Sequence, residues 1–334
     1  MILRWRTHHL TLTNPWGIAR GVSTGKEQAV VEIEHAGIIG RGEAAHTARN
    51  KESLDSVRAD FDRVAASVGD AEPGELLDSL PSFGVTGASA AALDVALHDW
   101  LAQQAGLALH DYLGIKAAPL PITSFSIGID EAGTIVRKVE EAAEFPILKV
   151  KLGTDRDHEI IAAVRSVTDK PVRVDANEGW ATRELALEKV EWLADQGIEF
   201  VEQPLPAHHL TDVAWLRERS PLPIVADEDA MTSANLHELA EAYDGINIKL
   251  AKCGGIREAV RMLELAEGLG LKVMLGCMIE TSLGITAAAH LGARADWLDL
   301  DGHLLISNDP YVGVRCERGQ LTLPDATGLG VTSV

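Results

Sequence analysis

Little in this 334-residue chain offers a handle for cross-linking, for membranes or for nucleic acid. Cysteine is scarce: Cys253, Cys277 and Cys316 are widely spaced and form no C-x-x-C pair. That argues against a disulfide framework or a zinc site and fits a reducing cytoplasm. No apolar run approaches the roughly 20 residues of a membrane span. The opening MILRWRTHHLTLT alternates like a strand and lacks the apolar centre of a signal peptide. Positive charge is in deficit, with 30 Lys+Arg against 50 Asp+Glu and a formal net charge of -20. A phosphate backbone is therefore a poor partner, and the excess mainly predicts solubility. Finally, no G-x-G-x-x-G follows a strand-like run, so the dinucleotide fingerprint is missing.

What is present is a repeat. From about Pro121, short β-rich runs alternate with polar turns and helical stretches such as RELALEKVEWLADQG. The runs are ITSFSI, ILKVKL, VRVDA, IEFVE, PIVAD, GINIKL, KVMLGC and DWLDLD. Eight near-even repeats predict an α/β protein whose parallel βα units close into a barrel over residues 119–308. An open doubly wound sheet fits the alternation too, but less well without the glycine fingerprint.

Residues 1–118 read differently. RWRTHHLTLT and AVVEIEHAGIIGRGEA suggest antiparallel strands, the second with Gly37 at a hairpin turn. SLDSVRADFDRVAASV and ASAAALDVALHDWLAQQAG suggest helices, the latter apolar on most faces and hence buried. This is a separate α+β domain. Beyond Asp309 no further βα unit follows, and the tail over 309–334 is expected to rejoin it.

Charge collects at the strand ends. Asp175, Glu202 and Asp227 close three successive runs, and Lys249 lies near the end of a fourth. Catalysis in such barrels sits at the C-terminal face. Three converging carboxylates there would supply hard oxygen ligands suited to Mg²⁺. The competing reading is that each acid caps the helix after it. ILKVKL adds two like charges, Lys149 and Lys151, on one face of a strand that should be buried. Lys151 and Lys249 would face each other across the acids, with Lys149 disfavouring a charge on Lys151 and so favouring a base. A Schiff-base lysine is the other functional option, though it would not need three acids.

The K-x-K pair, VDAN, VEQPL, ADE and NIKLAKCGG together resemble the enolase superfamily, in its muconate-lactonizing-enzyme-like subgroup. The likeness spans nearly the whole chain. It implies a (β/α)7β, TIM-like barrel with a split α+β capping domain. It also implies Mg²⁺ on Asp175, Glu202 and Asp227, with Lys151 and Lys249 as an acid/base pair and Lys149 in support. The shared chemistry is removal of a proton α to a carboxylate, giving a metal-stabilised enolate. One departure is Asp229, where relatives usually carry Ser or Thr; it would add negative charge near the metal.

The superfamily hosts several reactions on one scaffold. Asp299 and Asp301 in DLDGH are two apart and share a face, and two carboxylates at the mouth would bind an ammonium group. This D-x-D resembles that of dipeptide epimerases, where it grips the substrate's α-ammonium. Helix-capping acids, or a cycloisomerase or o-succinylbenzoate synthase, are the alternatives, as is a non-catalytic metal-binding barrel. NPWGIARGVSTGK is rich in Gly and turn residues, as a lid would be. Its Arg20 resembles the arginine that meets the glutamate side chain in L-Ala-D/L-Glu epimerases. By position, Ser124, Cys277 and Ile279 are further pocket candidates. The expected partner is a small dipeptide; a homo-oligomer stays open.

Overall fold

The computed structural model describes residues 1–69, 71–85 and 87–334. The chain begins with an antiparallel sheet of β1 (Ile2–Ile18), β2 (Gly21–His35) and β3 (Ile38–Ala44), in that order. Ala36 and Gly37 turn the second hairpin at φ 48° and 79°. Two consecutive residues at positive φ match the strand twist, and glycine adopts that region without steric cost. The run NPWGIARGVSTGK, expected as an irregular lid, instead continues both strands. Only Ala19 and Arg20 lie between Ile18 and its partner Gly21. The pairing slips between Thr11 and Trp16, a bulge that accommodates Pro15, which has no N–H to donate. The hairpin end is tied to the barrel, Ile129 N donating to Gly17 O at 2.9 Å. A Cβ on Gly17 would run into the Ile129 carbonyl, so a side chain here would lift the hairpin off.

Helices α1 (Leu54–Ala65), α2 (Pro73–Ser79) and α3 (Gly87–Ala105) cover this sheet, burying Val31, Ile33, Phe61, Leu93 and Leu97 between them. As its composition predicts, α3 is buried on most faces.

The second layer is the barrel. Its strands are β4 (Phe125–Ile127), β5 (Leu148–Lys151), β6 (Val172–Asp175), β7 (Ile198–Glu202), β8 (Ile224–Ala226), β9 (Gly245–Ile248), β10 (Lys272–Gly276) and β11 (Trp297–Asp299). They pair in parallel and in sequence order. Ser124 N donates to Leu298 O at 3.1 Å, and a parallel bridge joins Thr123 to Leu298, closing β11 onto β4. Each of the eight runs read from the sequence contributes one strand. Helices follow β4 to β10, whereas β11 leads into the short 3₁₀ turn Gly302–Leu305.

Alternation along the strands sorts the side chains. Val150, Val174, Val201, Ala226, Ile248 and Leu275 belong to the large core that the outer helices cover, each larger side chain adding roughly 1.5–3 kcal/mol. Phe200, Val225, Met274 and Trp297 form a small separate cluster, a floor inside the barrel. The Arg173 guanidinium lies 5.5 Å from the Phe200 ring centre and donates to Leu298 O at 2.9 Å. Two residues beyond Phe200, Val225 and Trp297 stand Glu202, Asp227 and Asp299.

Carboxylates of the capping domain stitch the two layers together. Asp94 of α3 accepts from Ile256 N at 2.6 Å, capping the helix Ile256–Leu269, which starts after Gly255 and has no side-chain cap of its own. Glu43 of β3 accepts from Thr281 N and Gly284 N at the start of Ser282–Ala289. Both place a carboxyl group at a helix N-terminus, where free N–H groups need acceptors. Asp99 accepts from Leu329 N at 2.8 Å, holding the tail on α3. The tail also serves the barrel, because Gly319 O accepts from Thr123 N at 2.9 Å. No helix among the described residues is long and apolar enough to cross a membrane.

Candidate active site

Asp175 and Glu202 end β6 and β7, and Asp227 follows β8. All three are buried, and each offers a carboxylate oxygen within 4.8 Å of the others'. They do not cap helices: the helix after β6 is capped by Thr182, far along the loop. The two oxygens of Glu202 differ. Oε1 accepts from Asn247 Nδ2 at 2.8 Å, while Oε2 has no aligned hydrogen-bond donor. Three converging hard carboxylate oxygens on successive strands fit a divalent cation such as Mg²⁺.

The lysines answer the charge of these acids. Lys149 is completely buried, 2.5 Å from Glu202 Oε2, 2.7 Å from Asp299 and 3.5 Å from Asp175. That is why two like charges can share the inner face of β5: the inside of this barrel is anionic. Lys149 is therefore a buried counter-ion and is not among the residues lining the cavity. Lys151 lies 2.6 Å from Asp175, and Lys249 lies 2.8 Å from Asp227. β5 and β9 are four strands apart in a ring of eight, so the two ammonium groups face each other across the acids. Asp227 also meets Lys252 at 2.5 Å. Burial would raise the Asp227 pKa, but Lys249 and Lys252 hold it well below the usual range. Burial and the neighbouring Asp175 push Glu202 up to about 7. The surrounding carboxylates raise Lys149 and Lys249, outweighing desolvation.

Asp299 and Asp301 both line the cavity, but they differ in state. Desolvation acts to raise Asp299, yet Lys149 and Lys151 take it down to about 2. Burial and the charge on Asp299 push Asp301 up to about 7. Ser124 Oγ donates to Asp299 at 2.7 Å, and Ser126 N donates to Asp301 at 2.6 Å. Ser124 is fully buried behind Asp299, and Ser126 takes the cavity position expected of it. Cys277 and Ile279 line the cavity. The Cys277 thiol donates to Asp299 O, and burial pushes its pKa up, which argues against a nucleophile.

The opposite wall of this cavity of about 630 Å³ belongs to the capping domain, with Trp16, Arg20, Lys26 and Arg49. Arg20 stands where the lid reading placed it, but its terminal nitrogens are engaged. One donates to Asn177 O at 2.9 Å and Glu178 at 3.1 Å, the other to Glu228 at 3.0 Å. The Asp229 carboxylate is not among the three that converge. It accepts from Tyr243 Oη at 2.7 Å and His208 N at 2.8 Å, which fixes the loop after β8. Asn247, Lys252 and Lys26 escaped the sequence reading. The first two lie in NIKLAKCGG, Asn247 two before Lys249 and so on its face, which was a readable signal.

Residues 3–114 match the model described as "Mandelate racemase / muconate lactonizing enzyme, N-terminal domain", and 134–333 match "Enolase C-terminal domain-like". An L-Ala-D/L-amino acid epimerase of Pedosphaera parvula is 43% identical, over 99% of both chains. An L-Ala-D/L-Glu epimerase of Bacteroides thetaiotaomicron is 41% identical, over 98% of this chain and 86% of its own. A crystal structure of a dipeptide epimerase from Cytophaga hutchinsonii, complexed with Mg and D-Ala-L-Val, superposes with a TM-score of 0.94 at 29% identity, covering 100% of this chain and 96% of the other. With its barrel, its capping sheet and both halves matched, the chain belongs to the enolase superfamily, in the mandelate racemase/muconate lactonizing enzyme group and its dipeptide epimerase family.

Proposed function

We propose that this protein epimerises dipeptides at the α-carbon of the C-terminal residue, with L-Ala-D-Glu and L-Ala-L-Glu of cell-wall peptides as its preferred pair. The observation that carries the reaction is the placement of Lys151 and Lys249 on opposite strands with three buried acids between them. Asp175, Glu202 and Asp227 would hold Mg²⁺, which when bound supplies positive charge against the charge developing on the substrate carboxylate. One lysine, neutral, takes the α-proton on its own face. The other, protonated, returns a proton to the opposite face, and the configuration inverts. In the reverse direction the two exchange roles. Asp175 and Asp227, each within 3 Å of its lysine, orient the ammonium groups, and the cap keeps bulk water from the reacting carbon.

Asp299 and Asp301 would receive the substrate's α-ammonium. Asp299 is already paired with Lys149, so Asp301 is the acid whose charge the substrate completes. Below about 7 it is protonated and neutral; above, it is a carboxylate. KM for dipeptides should therefore fall as pH rises through neutrality. Asp301→Asn should remove that step and lower kcat/KM by about 10- to 150-fold, the worth of one charge-assisted hydrogen bond. A KM–pH profile of both proteins checks it; an unchanged profile in Asp301→Asn contradicts it.

The glutamate preference draws on the similarity to the L-Ala-D/L-Glu epimerase and on Arg20, Lys26 and Arg49 along the cap wall. The L-Ala-D/L-amino acid epimerase marks the broader alternative. Initial rates on L-Ala-L-Glu, L-Ala-L-Gln and L-Ala-L-Leu separate the two. A clear kcat/KM advantage for the acid supports the reading, and equal or higher rates on the neutral dipeptides overturn it.

A further inference from the structure

Among the cations of the cap wall, Lys26 differs from its neighbours. Arg20 engages Asn177, Glu178 and Glu228, and Arg49 makes two hydrogen bonds to Glu178, at 2.9 and 2.8 Å. Lys26 Nζ makes no hydrogen bond and no ion pair within 4.0 Å among the described residues. Its position is set by the sheet. Lys26, Gln28 and Val30 share one face of β2. Gln28 Nε2 donates to Ile279 O at 2.5 Å, just past β10, and Val30 packs into the barrel's core. That face looks onto the barrel mouth, and Lys26 lines the substrate cavity at the next position toward the hairpin end.

Three carboxylates lie near enough to act on Lys26 through space: Glu280, Glu43 and Glu52. Each is committed to the backbone elsewhere. Glu280 accepts from Met278 N at 2.8 Å. Glu43 accepts from Thr281 N at 3.1 Å and from Gly284 N at 3.2 Å. Glu52 accepts from Thr47 N at 3.1 Å and Ala88 N at 2.9 Å. Burial and the Glu280 charge push Glu43 up to about 8, and burial also raises Glu280 and Glu52, which weakens their claim on the lysine. An ammonium enclosed by the cap without a partner is costly unless something in the cavity pairs with it.

We infer that Lys26 is the specificity-determining cation of this enzyme, pairing with a carboxylate on the side chain of the dipeptide's C-terminal residue. This rests on the dipeptide epimerase reading and names the group that selects an acidic substrate. It gives Arg20 a different part: through Asn177, Glu178 and Glu228 it closes the hairpin end onto the loops after β6 and β8.

The test is kcat/KM for L-Ala-L-Glu and L-Ala-L-Leu in the unmodified enzyme, Lys26→Met, Lys26→Arg and Arg20→Met. Lys26→Met should lose about 10- to 150-fold on the acid and keep its rate on L-Ala-L-Leu, which also reports that it is folded. Lys26→Arg should keep most of the acid preference. Lys26→Glu, assayed with L-Ala-L-Lys, should gain on the cationic dipeptide. An acid preference that survives Lys26→Met, or one abolished by Arg20→Met alone, overturns the inference while leaving the glutamate reading intact. Equal loss on both substrates in Lys26→Met also overturns it, leaving Lys26 a structural role. An unmodified enzyme with no preference for the acid sinks the glutamate reading itself, and the Lys26 inference with it.

Discussion

Asp175→Asn, Glu202→Gln and Asp227→Asn should each abolish turnover, with kcat down by roughly a thousandfold or more, because several kcal/mol of charge stabilisation depends on the bound metal. EDTA should do the same, and Mg²⁺ should reverse it. The three substitutions differ in what else they disturb. Glu202→Gln can keep an acceptor for Asn247, but it takes a charge from Lys149. Asp227→Asn leaves two buried lysines, Lys249 and Lys252, without their shared carboxylate. It should therefore be the least stable, since removing one partner of a buried ion pair costs about 3–5 kcal/mol. Thermal melts separate lost folding from lost metal, and metal content measured on the folded variants should fall with activity. Full turnover by thoroughly metal-free enzyme would contradict the assignment.

Lys151→Ala and Lys249→Ala should each stop epimerisation, since a reaction that delivers a proton to the face opposite the one it left needs both. General acid–base catalysis by one group contributes about 10²- to 10⁴-fold, and here its loss also removes the lysine that serves that face. The structural consequences are unequal. In Lys249→Ala the carboxylate of Asp227 keeps Lys252, and in Lys151→Ala that of Asp175 keeps only Lys149, at 3.5 Å. Chiral analysis of the product mixture checks the prediction. Normal epimerisation by either variant would rule out a lysine on each face.

Much of this site could be read along the chain, because barrel strands expose their period. Asp175 and Glu202 end two successive strands and Asp227 directly follows the third, and a strand end in such a barrel is a place at the mouth. Lys149 and Lys151 share a face for the same reason, although which of them meets the cavity depends on depth. One step of two residues along a strand, about 6.6 Å, also separates the buried Ser124 from Ser126, and nothing local marks that depth. The part played by Asp229 was hidden for another reason. Its partners Tyr243 and His208 come from other segments, so its hydrogen-bonding role could not be read from its proximity in sequence to Asp227. The glycines of NPWGIARGVSTGK suggested a loop, yet Gly17 serves close approach to Ile129 and Gly21 pairs with Ile18. Arg20's engagement with Glu178 and Glu228 joins three distant segments and could not be seen before the barrel closed.

The most direct test of the central claim is solvent exchange at the α-carbon, followed by proton NMR, with L-Ala-L-Glu and L-Ala-D-Glu incubated in D₂O. The unmodified enzyme should place deuterium at the glutamate α-carbon of both epimers and interconvert them. Lys151→Ala and Lys249→Ala should interconvert neither, and each should exchange the α-proton of only one epimer, a different one in the two variants. Epimerisation without deuterium uptake, or the same epimer exchanged by both variants, would contradict two lysines working on opposite faces of one carbon.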